Sequence, residues 1–330
     1  MLGVLRNVIV IGAVMTYIGV ASSNAYAAAE GKRIAVFMGP TQDKYIGAHS
    51  KSFEAAATAA GMKITVFSSP FDAALQAQQI DDAIGQKFDM LVVQTISQRA
   101  IIPPLTRAKN AGIPVILVVQ PMDSSDTDDL YLTYVGYDDT TAGDLAGSAM
   151  VKALVSSGRT TAKVAVLAGS MAQGKAPRRD KAFREALAKQ AGFVVVLTED
   201  VKWNPAQAER AAGQLFARFA GQGGLDGIYG MNDGVANGAI QAAESAGLKT
   251  GTAKGSVVIV GGNCQAQGIK NLEADKMVAT VAHLPAEEGK LAAAKAKDFF
   301  DGKKLEKMTY LPTELVTKDN LAQYRQPCSY

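Results

Sequence analysis

One alternation constrains this chain more than any other feature, and it runs through the chain twice. Short apolar runs rich in β-branched residues are separated by amphipathic stretches of about 10–15 residues. From Lys32 onward the runs are RIAVFM, KITVF, MLVVQ and PVILVV. Helical stretches lie between them over about 46–60, through AALQAQQIDDAI and through PPLTRAKNAG. The pattern restarts at KVAVLAG, then passes through a helix over 177–191, FVVVL, a helix from 205 to about 220, DGIYGMN, a helix from 233 to about 246, and SVVIVGGN. Strands that are apolar throughout need cover on both faces, which helices on a parallel sheet supply. The halves also match locally. KSFEAAATAAG (51–61) parallels KAFREALAKQAG (181–192), and FDMLVV (88–93) parallels LDGIYG (225–230). The expected fold class is α/β, with two similar doubly wound parallel-sheet lobes.

A length of 330 residues suits two domains. With 34 basic and 31 acidic side chains the net charge is +3, so no nucleic-acid partner is expected. At the N-terminus Arg6 precedes VIVIGAVMTYIGVA, a polar SSN break and Ala25-Tyr26-Ala27. That order reads as a secretory signal peptide cleaved after Ala27. Its apolar run of about 14 residues is short of the roughly 20 that span a bilayer. No cysteine lies near the cleavage point, so no acyl anchor is expected, and the mature chain should begin at Ala28 and be soluble outside the cytoplasm. In that oxidising compartment the two cysteines, Cys264 and Cys328, read either as one disulfide or as two separate buried thiols. Sequence spacing does not choose between them, because a bridge needs Cα atoms about 5.5 Å apart.

In doubly wound sheets, ligands meet the carboxyl ends of the strands. That rule selects 39–45, 94–98, Val119-Gln120, 168–179, Trp203, 231–233, Asn263 and His283, a set rich in amide, aromatic and cationic groups suited to a small polar ligand. GSMAQGKA (169–176) falls one residue short of a phosphate-binding loop: Ala176 stands where a magnesium-binding hydroxyl is needed. It is read instead as a loop before a helix with Pro177 in its first turn. Arg178 and Arg179 open that helix against its dipole, which reads equally as a ligand role for one of them or as two solvated arginines. Asp233 suits a helix N-cap, with Asn232 projecting into the cleft. Trp203, the only tryptophan, sits in a loop and offers an aromatic face to a sugar ring or to lid packing. His49 is assigned to the surface or to helix packing. The glycines of VVIVGGNCQA are read as letting the backbone approach a ligand closely. No metal spacing, nucleophile elbow or catalytic set occurs, so neither cofactor, metal nor enzymatic activity is expected.

The stretches AKNAGI with PVILVV, VGYDDTTAGDLAG, YGMNDGVANGAIQAAESAG and ADKMVATVAHLPAEEG resemble the periplasmic sugar-binding proteins of ABC importers, of the ribose-binding type. The resemblance covers about 32–316. It implies two lobes that close on ligand about three crossings, near Tyr137, His283–Leu284 and Pro312. The lobes would be 28–137 with 284–312, and 138–283 with 313–330. It further implies ligand contacts at Asp43, Tyr45, Gln94, Arg179, Trp203, Asn232, Asn263 and His283, a monomer, and an ABC permease as partner. A chemoreceptor or sensor kinase is an alternative partner, and a lactose-repressor-type regulator core an alternative role. Three positions depart from the ribose pattern: Val119-Gln120 replaces an Asp-Arg pair, Asn263 an acid, and His283 an amide. With two anionic acceptors absent, the expected ligand offers more acceptors than ribose: a deoxy sugar, sugar acid, polyol or other small polar molecule. A bridge from Cys264 to Cys328 would tie the C-terminal tail to the second lobe.

Overall fold

The computed structural model describes residues 28–330; the expected leader and its cleavage point after Ala27 lie outside the described residues. In the first lobe β1 (Arg33–Met38), β2 (Lys63–Ser68), β3 (Met90–Val93), β4 (Val115–Val118) and β5 (Thr133–Gly136) alternate with α1 (Lys44–Ala59), α2 (Ala73–Gly85) and α3 (Ile102–Asn110). All these strands are parallel, and β11 (Met308–Tyr310) joins at the β5 edge, giving the order β11-β5-β4-β3-β1-β2. In the second lobe α4 (Asp139–Ser156), β6 (Ala162–Ala168), α5 (Lys175–Ala188), β7 (Phe193–Asp200), α6 (Pro205–Ala220), β8 (Gly227–Gly230), α7 (Asp233–Ser245) and β9 (Val258–Val260) form a parallel sheet of order β7-β6-β8-β9. Beyond α8 (Ala266–Glu273), β10 (Thr280–Ala282) pairs antiparallel with β12 (Glu314–Val316). Isolated parallel bridges, Val260 to Ala279 and Asn263 to Ala282, attach this pair to β9. The helix α9 (Pro285–Phe300) returns to the first lobe and packs on α1.

The strand period of two explains why each strand is apolar throughout. In β1, Ile34, Val36 and Met38 face a core shared with α1 and α9, while Ala35 and Phe37 face the α2 and α3 side. In β6, Ala165 and Leu167 meet α6 and α7, while Val164, Val166 and Ala168 meet α4 and α5. Each large apolar side chain so buried contributes roughly 1.5–3 kcal/mol. Contact between α4 and α5 depends on small residues: a Cβ at Gly143 would stand 2.4 Å from the Arg179 carbonyl oxygen, and one at Gly147 2.6 Å from the Ala186 Cβ. That close approach sets the depth at which Arg179 enters the second lobe.

Several local expectations shift. Helix α1 begins at Lys44 because Asp43 caps it, its Oδ1 accepting from the Tyr45 and Ile46 N–H groups. Helix α5 begins at Lys175, so Pro177 falls inside its first turn. The N-cap of α7 is Asn232 rather than Asp233: Asn232 Oδ1 accepts from the Val235 N–H at 2.7 Å. Asp233 is the first helical residue, fully buried, and accepts from the Gln265 N–H at 2.6 Å. Of the two readings of His49, helix packing holds and the surface does not. The residue is fully buried where α9 crosses α1, and a Cβ at Gly289 would stand 2.5 Å from its carbonyl oxygen.

Candidate functional site

The carboxyl ends of β1, β3 and β4 face those of β6, β8 and β9 across a cavity. Asp43, Tyr45 and Gln94 line it from the first lobe; Trp203, Asn232 and Asn263 line it from the second. Local folding places each of them. Gln94 Oε1 accepts from the Gly39 N–H at 2.9 Å, and the Gln94 carbonyl is held by Gln76 Nε2 at 2.8 Å. Trp203 follows β7 at a φ of 61° and lies directly on Gly169, where a Cβ would stand 2.0 Å from the ring. Its indole N–H donates to Gln173 Oε1 at 2.7 Å. Asp43 spends one carboxylate oxygen on its helix cap, leaving the other toward the cavity.

Arg179 and His283 do not line the cavity; they stand behind Asn263. Arg179 is 1% exposed, and a guanidinium so buried needs a carboxylate partner, which Asp139 provides at 2.8 Å. Its remaining donors reach the Met231 carbonyl at 2.9 Å, Asn263 Oδ1 at 3.2 Å and His283 Nδ1 at 2.8 Å. Because a guanidinium only donates, His283 Nδ1 accepts, and the imidazole is neutral with its proton on Nε2. Burial, with Arg179 as the next cause, holds the His283 pKa well below the usual histidine value. The His283 ring stacks on Tyr137 at 4.2 Å and 16°. Arg178 is a cross-lobe contact, donating to the Met122 carbonyl at 2.9 Å and pairing with Asp123 at 2.9 Å.

Five cavity residues were not singled out in the sequence, among them Ile46, one position past the selected 39–45 segment. Gln173 and Lys175 lie in the 168–179 loop that the strand-end rule selects, but nothing in GSMAQGKA says that its lysine turns inward. Gln265 and Phe71 fall outside the selected segments. Lys175 is 7% exposed, with Nζ 5.5 Å from the Tyr45 ring centroid and 5.9 Å from that of Trp203. It forms no ion pair among the described residues, and burial pulls its pKa below the ordinary lysine value. Beneath Tyr45, Glu288 is fully buried; its Oε2 accepts from the Tyr45 hydroxyl at 2.5 Å and its Oε1 from the Val119 N–H at 3.0 Å. Burial pushes its pKa up to about 7.

At the end of β9, Asn263 and Cys264 adopt φ of 74° and 53°. Cys264 is bonded to Cys328, with Cα atoms 5.3 Å apart. The adjoining Tyr330 hydroxyl reaches the Asn263 carbonyl and, at 3.0 Å, the His283 carbonyl. The preceding glycines do not serve close approach of a ligand. A Cβ at Gly261 would stand 2.2 Å from Asp233 Oδ1, and one at Gly262 2.7 Å from the Met231 carbonyl oxygen.

Comparison with known proteins gives consistent results. The sequence model of the periplasmic binding protein domain matches residues 34–304. A putative rhizopine-binding protein of Rhizobium meliloti is 28% identical over 308 residues, 92% of this chain and 94% of the relative. The ribose import binding protein of Bacillus subtilis is 26% identical over 270 residues, 81% of each chain. Among solved structures, a galactofuranose binding protein shares the fold with a TM-score of 0.82 at 21% identity, covering 90% of this chain and 98% of that one. An ABC transporter solute binding protein from Bacillus halodurans C-125 with bound myo-inositol does so at 0.80 and 19%, covering 91% and 99%.

Proposed function

This chain belongs to the periplasmic binding protein family, and from that footing we propose that its interlobe cavity captures a sugar or similar polyhydroxy molecule for delivery to an ABC permease. One observation carries the reading: amide side chains from both lobes and one tryptophan converge on a single cavity between the two sheets. Planar amides fix the positions of hydroxyl groups, and an indole face packs on the C–H face of a sugar ring. Relatives named for ribose, D-allose and xylitol bind molecules of this class.

In this reading Asp43, Gln94, Asn232 and Asn263 contact the ligand, with Tyr45 and Trp203 as aromatic walls. Arg179 and His283 act as positioning residues: they hold the Asn263 oxygen and connect it to the hinge. The lobes are 28–137 with 284–312, and 138–283 with 313–330. They hinge where the chain passes between the sheets, near Tyr137, His283–Leu284 and Pro312. The mature protein works in the periplasm after removal of residues 1–27 and requires no covalent chemistry of its own. Contacts from both lobes favour the closed form only when a ligand bridges them.

The test is a thermal-shift screen of the mature chain against carbohydrates, polyols, amino acids and nucleosides. A ligand at a hundredfold its dissociation constant stabilises by about 2.7 kcal/mol, a shift of about 5 °C. At least one carbohydrate-class compound is expected to give such a shift. Silence across that class, with a shift for amino acids or nucleosides, overturns the reading.

A further inference from the structure

The orientation of the cavity amides carries a consequence for ligand charge. An amide offers one acceptor and one NH2 donor, and which end faces inward is set by what the other end bonds. Gln94 Oε1 is held by the Gly39 N–H, Asn232 Oδ1 by the Val235 N–H and Gln265 Oε1 by the Gly234 N–H at 3.1 Å. Asn263 Oδ1 is held by Arg179, and Gln173 Oε1 by the Trp203 indole N–H. Each of these partners is a pure donor, so none of the five amides can be turned around without setting two donors against each other. In all five the oxygen is occupied by the protein, while the nitrogen has no partner among the described residues. Gln173 Nε2 is fully buried in that condition.

To these donors the cavity adds the Lys175 ammonium, buried between the rings of Tyr45 and Trp203 without an ion pair among the described residues. Acceptors on the same walls are fewer. They are the second Asp43 oxygen and Gln120 Oε1, which is buried without a partner because Gln120 Nε2 donates to Gln173 at 3.2 Å. A neutral sugar presents hydroxyls that donate as well as accept, and two acceptors would leave most of those protons unpaired. A carboxylate only accepts, and it would also supply the counter-charge that a buried ammonium needs.

We propose that the cavity selects a polyhydroxy carboxylate, an aldonic or uronic acid, with its carboxylate on Lys175 and the neighbouring amide N–H2 groups, and its hydroxyls toward Asp43 and Gln120. Lys175 offers one ammonium, the Arg179 charge is already matched by Asp139, and the Asp43 carboxylate on the same wall repels a second negative charge, so a single carboxylate fits better than the two charges of a phosphate monoester. The inference rests on the carbohydrate-binding reading above and narrows it.

The experiment is calorimetry on the mature chain with matched sets: glucose, gluconate, glucuronate and glucose phosphate, and the galactose and ribose equivalents. An acid is expected to bind at least about tenfold more tightly than its neutral parent, a difference of about 1.4 kcal/mol. Lys175→Gln, checked for folding by circular dichroism, is expected to erase that preference. A neutral sugar binding as tightly as its acid, a preference that survives Lys175→Gln, or tighter binding of the phosphate each overturns the inference and leaves the carbohydrate reading intact. Absence of binding by every compound in the sets overturns both.

Discussion

Glu288 is the clearest case of a single residue whose surroundings fix its chemistry. It sits under Tyr45 and caps the Val119 N–H in a fully buried place, and its pKa rises from 4.5 to about 7. The folded chain therefore keeps a proton that the unfolded chain releases. This contributes stability that is complete below about pH 4.5 and lost as pH rises through about 7. Asp233, raised by burial to about 7, acts in the same sense. His49, lowered by burial to about 3, and His283 act in the opposite sense, since the unfolded chain takes up their protons below about pH 6.5. Between pH 4.5 and 6.5 the two pairs oppose each other, so the wild-type stability should be nearly flat there. Glu288→Gln removes one falling contribution. Its stability relative to wild type should increase by about 3 kcal/mol between pH 4.5 and 7.5, at 1.36 kcal/mol per pKa unit. Urea unfolding at a series of pH values measures this, and parallel profiles would refute it. None of this was legible in the sequence: nothing in PAEEG marks Glu288 as buried, and its burial comes from Tyr45 and Val119, which are far away along the chain. Lys175 was obscured in the same way. The strand-end rule reached its loop, but its burial depends on Tyr45 from the opposite lobe.

At the scale of elements, the strands that repeat most strongly were legible almost to the residue, because β1, β3, β4, β6 and β8 are buried on both faces and must be apolar throughout. The three-residue strands β10, β11 and β12 are too short to show a period, and the Gly- and Ala-rich α4 hides its helical stripe among small residues. The cap fell to Asn232 rather than Asp233 because both residue types cap helices, and Asn232 still reaches the cavity; the choice depends on Gly261 leaving room for the buried Asp233 carboxylate. The disulfide settles a choice that the sequence left open between one bridge and two separate thiols. It closes a separation of 64 residues and holds the segment carrying Tyr330 against Asn263 and His283. Crosslinks of this span stabilise by about 2–4 kcal/mol, mainly by restricting the unfolded chain. A Cys264→Ser, Cys328→Ser double variant should lose about that much in denaturant unfolding. It should also bind ligand several-fold more weakly, as Asn263 loses its Tyr330 brace. Unchanged affinity would show that the brace is irrelevant to the site.

For the whole molecule, the two lobes meet through contacts that belong to the closed arrangement. Arg178 pairs with Asp123, Gln120 with Gln173, and the rings of Tyr45 and Tyr330 meet edge to face at 6.1 Å. The same closure buries Gln120 Oε1 and Gln173 Nε2 without protein partners, and each group so buried costs about 1–3 kcal/mol. The exposed Arg178 pair returns at most about 1 kcal/mol, because both partners are partly solvated. The two unpartnered groups oppose closure by protein contacts alone, and a bridging ligand that pairs with them favours it. The hinge permits this because two of its crossings are joined locally: the Leu284 N–H donates to the Tyr137 hydroxyl at 2.7 Å, and Tyr137 stacks on His283. Rotation about that pair can move the lobes without disturbing either sheet. Small-angle scattering should then give a larger radius of gyration for the apo chain than for the chain at ligand saturation. Trp203, the only tryptophan, lies on the cavity wall and should report the same event by a fluorescence change with the same midpoint. A fluorescence response without compaction would mean that ligand binds to one lobe alone, and the two-lobed site described here would be wrong.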